Sequence, residues 1–272
     1  MKRFSIIHIP VLSFFSKELY RDVALNWKGV GAALGYLLLL LAVCWIPAMV
    51  EMHIGFANFV DNEAPKLVEQ VPEIKITDGQ VSIEQPQPYY INDPDSNDVL
   101  AIIDTTATIT SLEDPNAMCL LTKNNIMWRE SELEIRTIDL PEVKNFVLNS
   151  ERIMGWLHTA GKFLVIIIYP FALLGSYLYR IVQVLIYAAI GLLFALWCKV
   201  TLSYAALLRL AVVAVTPCLI AKTILAMAGV HLPYAPLIYL LAALAYLFFA
   251  VQAAAQTTAP QQEGQFPQQM GI

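Results

Sequence analysis

The 95 residues from Lys162 to Gln256 hold five Lys/Arg (Lys162, Arg180, Lys199, Arg209 and Lys222) and no Asp or Glu. Helices from such a stretch would have no charged face to show to water. Its runs FLVIIIYPFALLGSYLY, VLIYAAIGLLFALW, LAVVAVTPCLIAKTILAMAG and LIYLLAALAYLFFAVQAAA each approach the roughly 20 apolar residues that cross a bilayer core of about 30 Å. Only 14% of the whole chain is charged, against about 25% in a soluble domain. The class this implies is a polytopic α-helical membrane protein.

The net charge of −5 is sharply partitioned. Residues 1–28 carry five Lys/Arg against two acids, while residues 51–161 carry seven against nineteen. The acids thus sit almost wholly in one segment. Of the four cysteines, Cys44, Cys198 and Cys218 lie in apolar runs and Cys119 alone in the polar segment, which leaves that segment no internal disulfide.

Taken in order, residues 1–28 form a lead-in. Leu12, Phe15, Leu19 and Val23 share one helical face, with Lys17, Glu18, Arg21 and Asp22 opposite. This predicts a short amphipathic helix on the membrane surface; the alternative is a lead-in packed on the bundle. Residues 29–50 contain no charge and form the first span, which Pro47 is expected to end or bend. The basic lead-in puts the N-terminus in the cytoplasm by the positive-inside rule, and residues 51–161 then fall outside.

That segment begins with a helical pattern (Ile54, Phe56, Phe59, Val60) and changes after Pro72 to period two. EIKITDGQVSIE reads as two strands around Asp78-Gly79, a strong hairpin signal. PYYIN, VLAIIDTTATI, AMCLLTKNNIMW and ELEIRTID are further strand candidates, with loops at Gln85–Pro88, Asp93-Pro94-Asp95 and Asp114-Pro115-Asn116. Pro141 is expected to open a last helix that feeds into the membrane. The expectation is an extracytoplasmic α+β domain, a small mostly antiparallel sheet held between helices continuous with the first two spans and so rigidly coupled to the bundle.

Residues 162–255 must then be divided. Lys162 to Val200 would extend about 58 Å as one helix, more than a single span uses. A division at Tyr179-Arg180 gives spans at 162–180 and 182–199, followed by 207–228 and 235–255, five in all, with a kink at Pro170. A four-span arrangement, with 163–180 in the interface or re-entrant, places Lys199 and Arg209 on the cytoplasmic side and satisfies the charge rule better. Residues 256–272, rich in Gln, read as a disordered tail.

The stretch KVTLSYAALLRLAVVAVTP, from Lys199 to Pro217, resembles bacterial membrane proteins grouped as domain of unknown function 1189. The amphipathic start, the first span, Val71-Pro72-Glu73-Ile74 with Asp78-Gly79, Ile102-Ile103-Asp104-Thr105-Thr106 and Leu120-Leu121-Thr122-Lys123 follow in the same order, so the resemblance covers most of residues 5–255. It implies a membrane part similar to Yip-type proteins, five-span proteins of vesicle membranes. No activity is established for the family, and some members are thought to accompany sugar-transport systems.

Lys222 lies deep in an expected span with no acidic partner in the membrane block, and it either serves a function or snorkels to the nearer interface. Arg180 and Arg209 fall at expected span ends, suited to lipid phosphate or helix capping. Tyr204, in the polar loop beside Arg209, is a candidate contact residue. Asp104, at the end of a strand, is either a site or a turn residue. His8, His53, His158 and His231 are scattered; His53 and His158 flank the polar domain and can meet at its base, but no third ligand follows in sequence to make a metal site. No nucleophile elbow, metalloprotease helix, P-loop or dinucleotide fingerprint occurs. An acidic domain repels nucleic acid.

The expected function is therefore that of a non-enzymatic protein of the bacterial inner membrane, without cofactor or metal. It would pack in the lipid bilayer beside another membrane or envelope protein as an accessory or scaffold subunit, with its oligomeric state open. Two alternatives stand beside it. One is a transport component, using Pro170, Gly175 and Pro217 for broken helices. The other is a lipid-acting intramembrane enzyme using Lys222 or Arg209.

Overall fold

The computed structural model describes residues 4–27, 29–112, 117–131, 134–140, 144–230 and 232–255. The expected tail at 256–272, the turn at Asp114-Pro115-Asn116 and His231 lie outside them. One unit takes in the chain up to Val50 and from Ile168 on; the other runs from Glu51 to Ile167.

Among the described residues four helices are long and apolar enough to cross a membrane: Gly31–Val68, Ser150–Trp197, Tyr204–Met227 and Ala235–Ala255. We label the regular helices α1 (Ile9–Leu12), α2 (Lys17–Leu25), α3 (Gly31–Asn58), α4 (Ala64–Val68), α5 (Ser150–Trp197), α6 (Tyr204–Met227) and α7 (Ala235–Ala255). A π-helical turn, Phe59–Glu63, joins α3 to α4.

Helix α5 corrects the expected division at Tyr179-Arg180. It runs unbroken for 48 residues, about 72 Å, through Pro170 and Arg180. Length had called for a break, but the residues at 179–180 supply no helix-breaking chemistry, and the Arg180 guanidinium donates to Gln183 Oε1 one turn on. Nor does Pro47 end α3, which continues to Asn58.

In the first unit α6 is the enclosed member, buried at every residue from Ala206 to Leu219. Small Ala and Val side chains there let neighbours close in from all sides. On α5, a Cβ added at Gly191 would stand 3.3 Å from Leu207 Cδ2, so α5 and α6 pass closely there and a larger residue would require Leu207 to give way. Polar contacts tie the helices further. Tyr36 and Thr216 hydroxyls lie 3.1 Å apart, Trp45 Nε1 donates to Ser176 Oγ at 2.8 Å and Tyr169 Oη to the Ala42 carbonyl at 2.9 Å. Each such bond is worth about 0.6–2 kcal/mol in a bilayer.

The lead-in follows its alternative reading. Ser16 caps α2 by accepting from Leu19 N–H at 3.2 Å, and α2 buries Leu19, Tyr20, Val23 and Ala24 against α6 and α7. The Tyr20 ring stands edge-on to Phe249 at 5.7 Å and its hydroxyl donates to the Ser13 carbonyl at 2.5 Å. Phe15, placed by periodicity on the same face, is 64% exposed because the helix only starts at Lys17.

The second unit holds two sheets. β1 (Ile74–Thr77), β2 (Gln80–Ser82) and β8 (Asn145–Leu148) form one, in the order β2-β1-β8. β3 (Tyr89–Asn92), β4 (Val99–Asp104), β5 (Cys119–Thr122), β6 (Asn125–Ser131) and β7 (Glu134–Asp139) form the other, in that order. Every pairing is antiparallel except β4 with β5. The Asp78-Gly79 hairpin is present, both residues at positive φ (48° and 76°) as a two-residue turn of this kind demands. Ile102 and Ile103 are both buried although they point to opposite faces of β4. Ile102 packs with Leu112, Ala117 and Leu120, and Ile103 with Ile74 and Val81 of the smaller sheet.

The helix expected from Pro141 is corrected too. Residues 141–143 are outside the description, Asn145–Leu148 is strand β8, and the helix begins only at Ser150. The Ser150 hydroxyl donates to the Val68 carbonyl at 3.0 Å, fastening that start to the end of α4.

Candidate functional site

Asp104 ends β4 fully buried. Its Oδ1 accepts from Thr106 N–H at 2.9 Å and from the Thr106 hydroxyl at 2.5 Å; Oδ2 accepts from Ile109 N–H at 2.5 Å. Burial alone would raise its pKa, but these donors, with a further backbone bond from Thr108, outweigh it and hold the carboxyl below the ordinary aspartate range. Ala107, at φ 62°, lets the loop wrap back on the carboxylate. Asp104 is spoken for as the knot of its own loop.

The candidates in the first unit are spread out. Arg180 lies 17 residues before the end of α5, about 25 Å, not at a helix end. It stacks over Tyr179 at 5.6 Å and starts a polar chain through Gln183 to the Tyr187 hydroxyl, which Gln183 Nε2 reaches at 2.8 Å. Tyr204 opens α6 and donates to the Leu185 carbonyl at 3.0 Å. Arg209 is buried on α6 and its NH2 donates to the Ala24 carbonyl at 3.1 Å, capping the last turn of α2. Lys222 is exposed on α6, five residues short of its end at Met227. These four share no hydrogen-bond partner.

One constellation was missed by the expected helical pattern, which took Ile54, Phe56, Phe59 and Val60 together. His53, Phe56, Ala57 and Val60 recur at i, i+3, i+4 and i+7 and so share a face of one helix. Across from them stand Leu157, His158, Gly161 and Lys162 of α5. Together with Asp61 these residues line one cavity of about 190 Å³ in the second unit. The two histidines thus meet, as their flanking positions suggested, and are joined by Asp61 and Lys162, which sequence reading passed over. Val60 is 2% exposed and forms the floor, while the four polar side chains stand exposed at the rim. A Cβ on Gly161 would come within 3.1 Å of the Phe56 ring, so glycine sets how closely the two helices approach. Among the described residues no three His, Cys, Asp or Glu are grouped to hold a metal ion.

A more open, polar depression of about 500 Å³ lies between the β1–β2 turn, Thr105 and Lys123. It has no comparable apolar floor.

No curated protein and no solved structure matches the chain. A family model described as protein of unknown function (DUF1189) matches residues 11–251, nearly the whole length, and the chain belongs to that family.

Proposed function

We propose that this is a four-span protein of the bacterial inner membrane, without catalytic activity, acting as an accessory or scaffold subunit of an envelope complex. Four crossings put residues 1–28, Lys199 and Arg209 on one side, and the acid-rich second unit with the uncharged 229–234 turn on the other. That distribution supports a cytoplasmic N-terminus and an extracytoplasmic second unit.

Strand β7 carries the interaction reading. It is the outer strand of the five-stranded sheet, and among the described residues no strand pairs with its far side. All six of its residues are exposed, Ile135 at 43% and Ile138 at 45%. An open edge of this kind invites pairing with another chain and is ordinarily covered. The partner is an extended segment of another envelope protein. Asp104, the candidate contact residue in this unit, offers a partner little, because its carboxylate is taken up by its own loop.

The test is in-cell crosslinking of tagged protein at native level, followed by mild-detergent purification and mass spectrometry. A stoichiometric partner crosslinked through β7, and lost in Ile135→Pro, is the expected result. Protein that purifies alone with β7 uncrosslinked refutes the proposal.

A further inference from the structure

The cavity lined by His53, Asp61, His158 and Lys162 has three properties that together select a ligand. Its position along the chain is the first. His53 follows the charge-free stretch 29–50 by three residues, and Lys162 is the last charge before Phe163 opens the next apolar run. If those runs cross the bilayer, both helices pass the cavity at headgroup level. The second is its charge. One carboxylate and one ammonium share the rim with two imidazoles, a balance that suits neither a simple anion nor a simple cation. The third is its floor, where Val60, Phe56 and Leu157 offer apolar surface below the polar rim.

Asp61 belongs to this set by spacing: it stands eight residues on from His53 and four from Ala57, on the same helical stripe. It lies within the π-helical turn Phe59–Glu63, and such turns are rare and frequently found at functional sites.

We infer that this cavity holds the headgroup of a phospholipid bearing a phosphate and a primary ammonium. The phosphate lies against the Lys162 ammonium and the imidazole N–H groups. The lipid ammonium, with three N–H donors, lies against the Asp61 carboxylate, and the glycerol, on the membrane side of the phosphate, covers Phe56. A headgroup without a cation would leave Asp61 facing a phosphate. A quaternary ammonium would offer it no N–H.

The inference rests on the membrane-spanning part of the proposed function and not on its partner. Full-length protein is reconstituted in vesicles of phosphatidylethanolamine with phosphatidylglycerol, or of phosphatidylcholine with phosphatidylglycerol. It is then re-extracted in mild detergent, and the retained lipid is counted by native mass spectrometry. Wild type should retain phosphatidylethanolamine over the other two. Asp61→Asn should lose that preference about fivefold while still retaining phospholipid, and Lys162→Gln should lower retention of all three about fivefold, the value of one exposed ion pair. Both residues are exposed, so neither variant threatens folding. Equal lipid ratios in wild type and both variants overturn the inference. So does displacement of the lipid by soluble phosphoethanolamine at equal concentration, which would make the ligand a free metabolite. Recovery of the protein without detergent would instead overturn the membrane reading beneath it.

Discussion

Replacing Asp104 with alanine takes the acceptor away from four donors at once: Thr106 N–H, the Thr106 hydroxyl, Thr108 N–H and Ile109 N–H. Hydrogen bonds to a charged group contribute about 1.5–3 kcal/mol each. Thr106 and Thr108 are exposed, so water recovers most of what their bonds lose; Ile109 is half-buried and recovers less. The net cost is then about 3 kcal/mol, felt in the loop and in the β4–β5 pairing it abuts. Hydrogen exchange of the full chain in detergent, read on peptides covering residues 99–112 and 117–122, should show that loss of protection. The second arm is pH. The folded carboxyl titrates below the unfolded value of about 3.9. The stability it contributes is therefore complete above that value and disappears as pH falls through the lower folded one. Wild type should lose stability on acidification below about pH 4, and Asp104→Asn should lack that component. An Asp104→Ala cost under about 0.5 kcal/mol, with exchange unchanged, would refute the assignment of Asp104 as the knot of its loop.

Two further outcomes follow from the first unit. Gly191→Val should lower thermal stability in detergent by about 1–3 kcal/mol, because its Cβ meets Leu207 at 3.3 Å before the branch is added; an unchanged melting temperature would mean the helices are not closed at that point. Arg209→Met should speed hydrogen exchange in α2 about fivefold, corresponding to about 1 kcal/mol for a lost C-terminal cap, and leave α7 unchanged. Equal effects on both helices would show that Arg209 acts through general packing.

The long apolar helices were legible because apolar character depends on composition summed over long stretches, which local accidents do not disturb. Strands β1 to β4 and β7 were legible for a related reason: Asp78-Gly79 and the prolines punctuate a clear period of two. AMCLLTKNNIMW read as one strand and is two, β5 and β6, folded back at Lys123-Asn124, where no Gly or Pro marks the turn. β8 was not. Phe146 and Val147 follow a proline and precede an amphipathic helix, and only the long-range pairing of Ile74 with Leu148 makes them a strand. The extra break in α5 came from equating a span with a helix, although a helix is free to run past the bilayer. The cavity was half legible. His53 and His158 were expected to be able to meet at the base of the domain, and both line the cavity. Asp61 follows Ala57 by four residues and His53 by eight, an ordinary helical spacing, but as one acid among nineteen in its segment it carried no mark of its own.

The pairing of β1 with β8 sets an order on synthesis. β1 and β2 close their hairpin within microseconds of leaving the ribosome, but the other side of β1 must wait on the order of seconds while the chain through β8 is made. Until then the nascent unit presents an unsatisfied strand to whatever is near, so this is the interval in which a folding helper at the membrane would matter most. Once closed, the same clasp works in reverse: a protease that nicks the chain anywhere between β2 and β8 cuts a loop whose two ends remain bound to each other, and the severed unit stays in one piece.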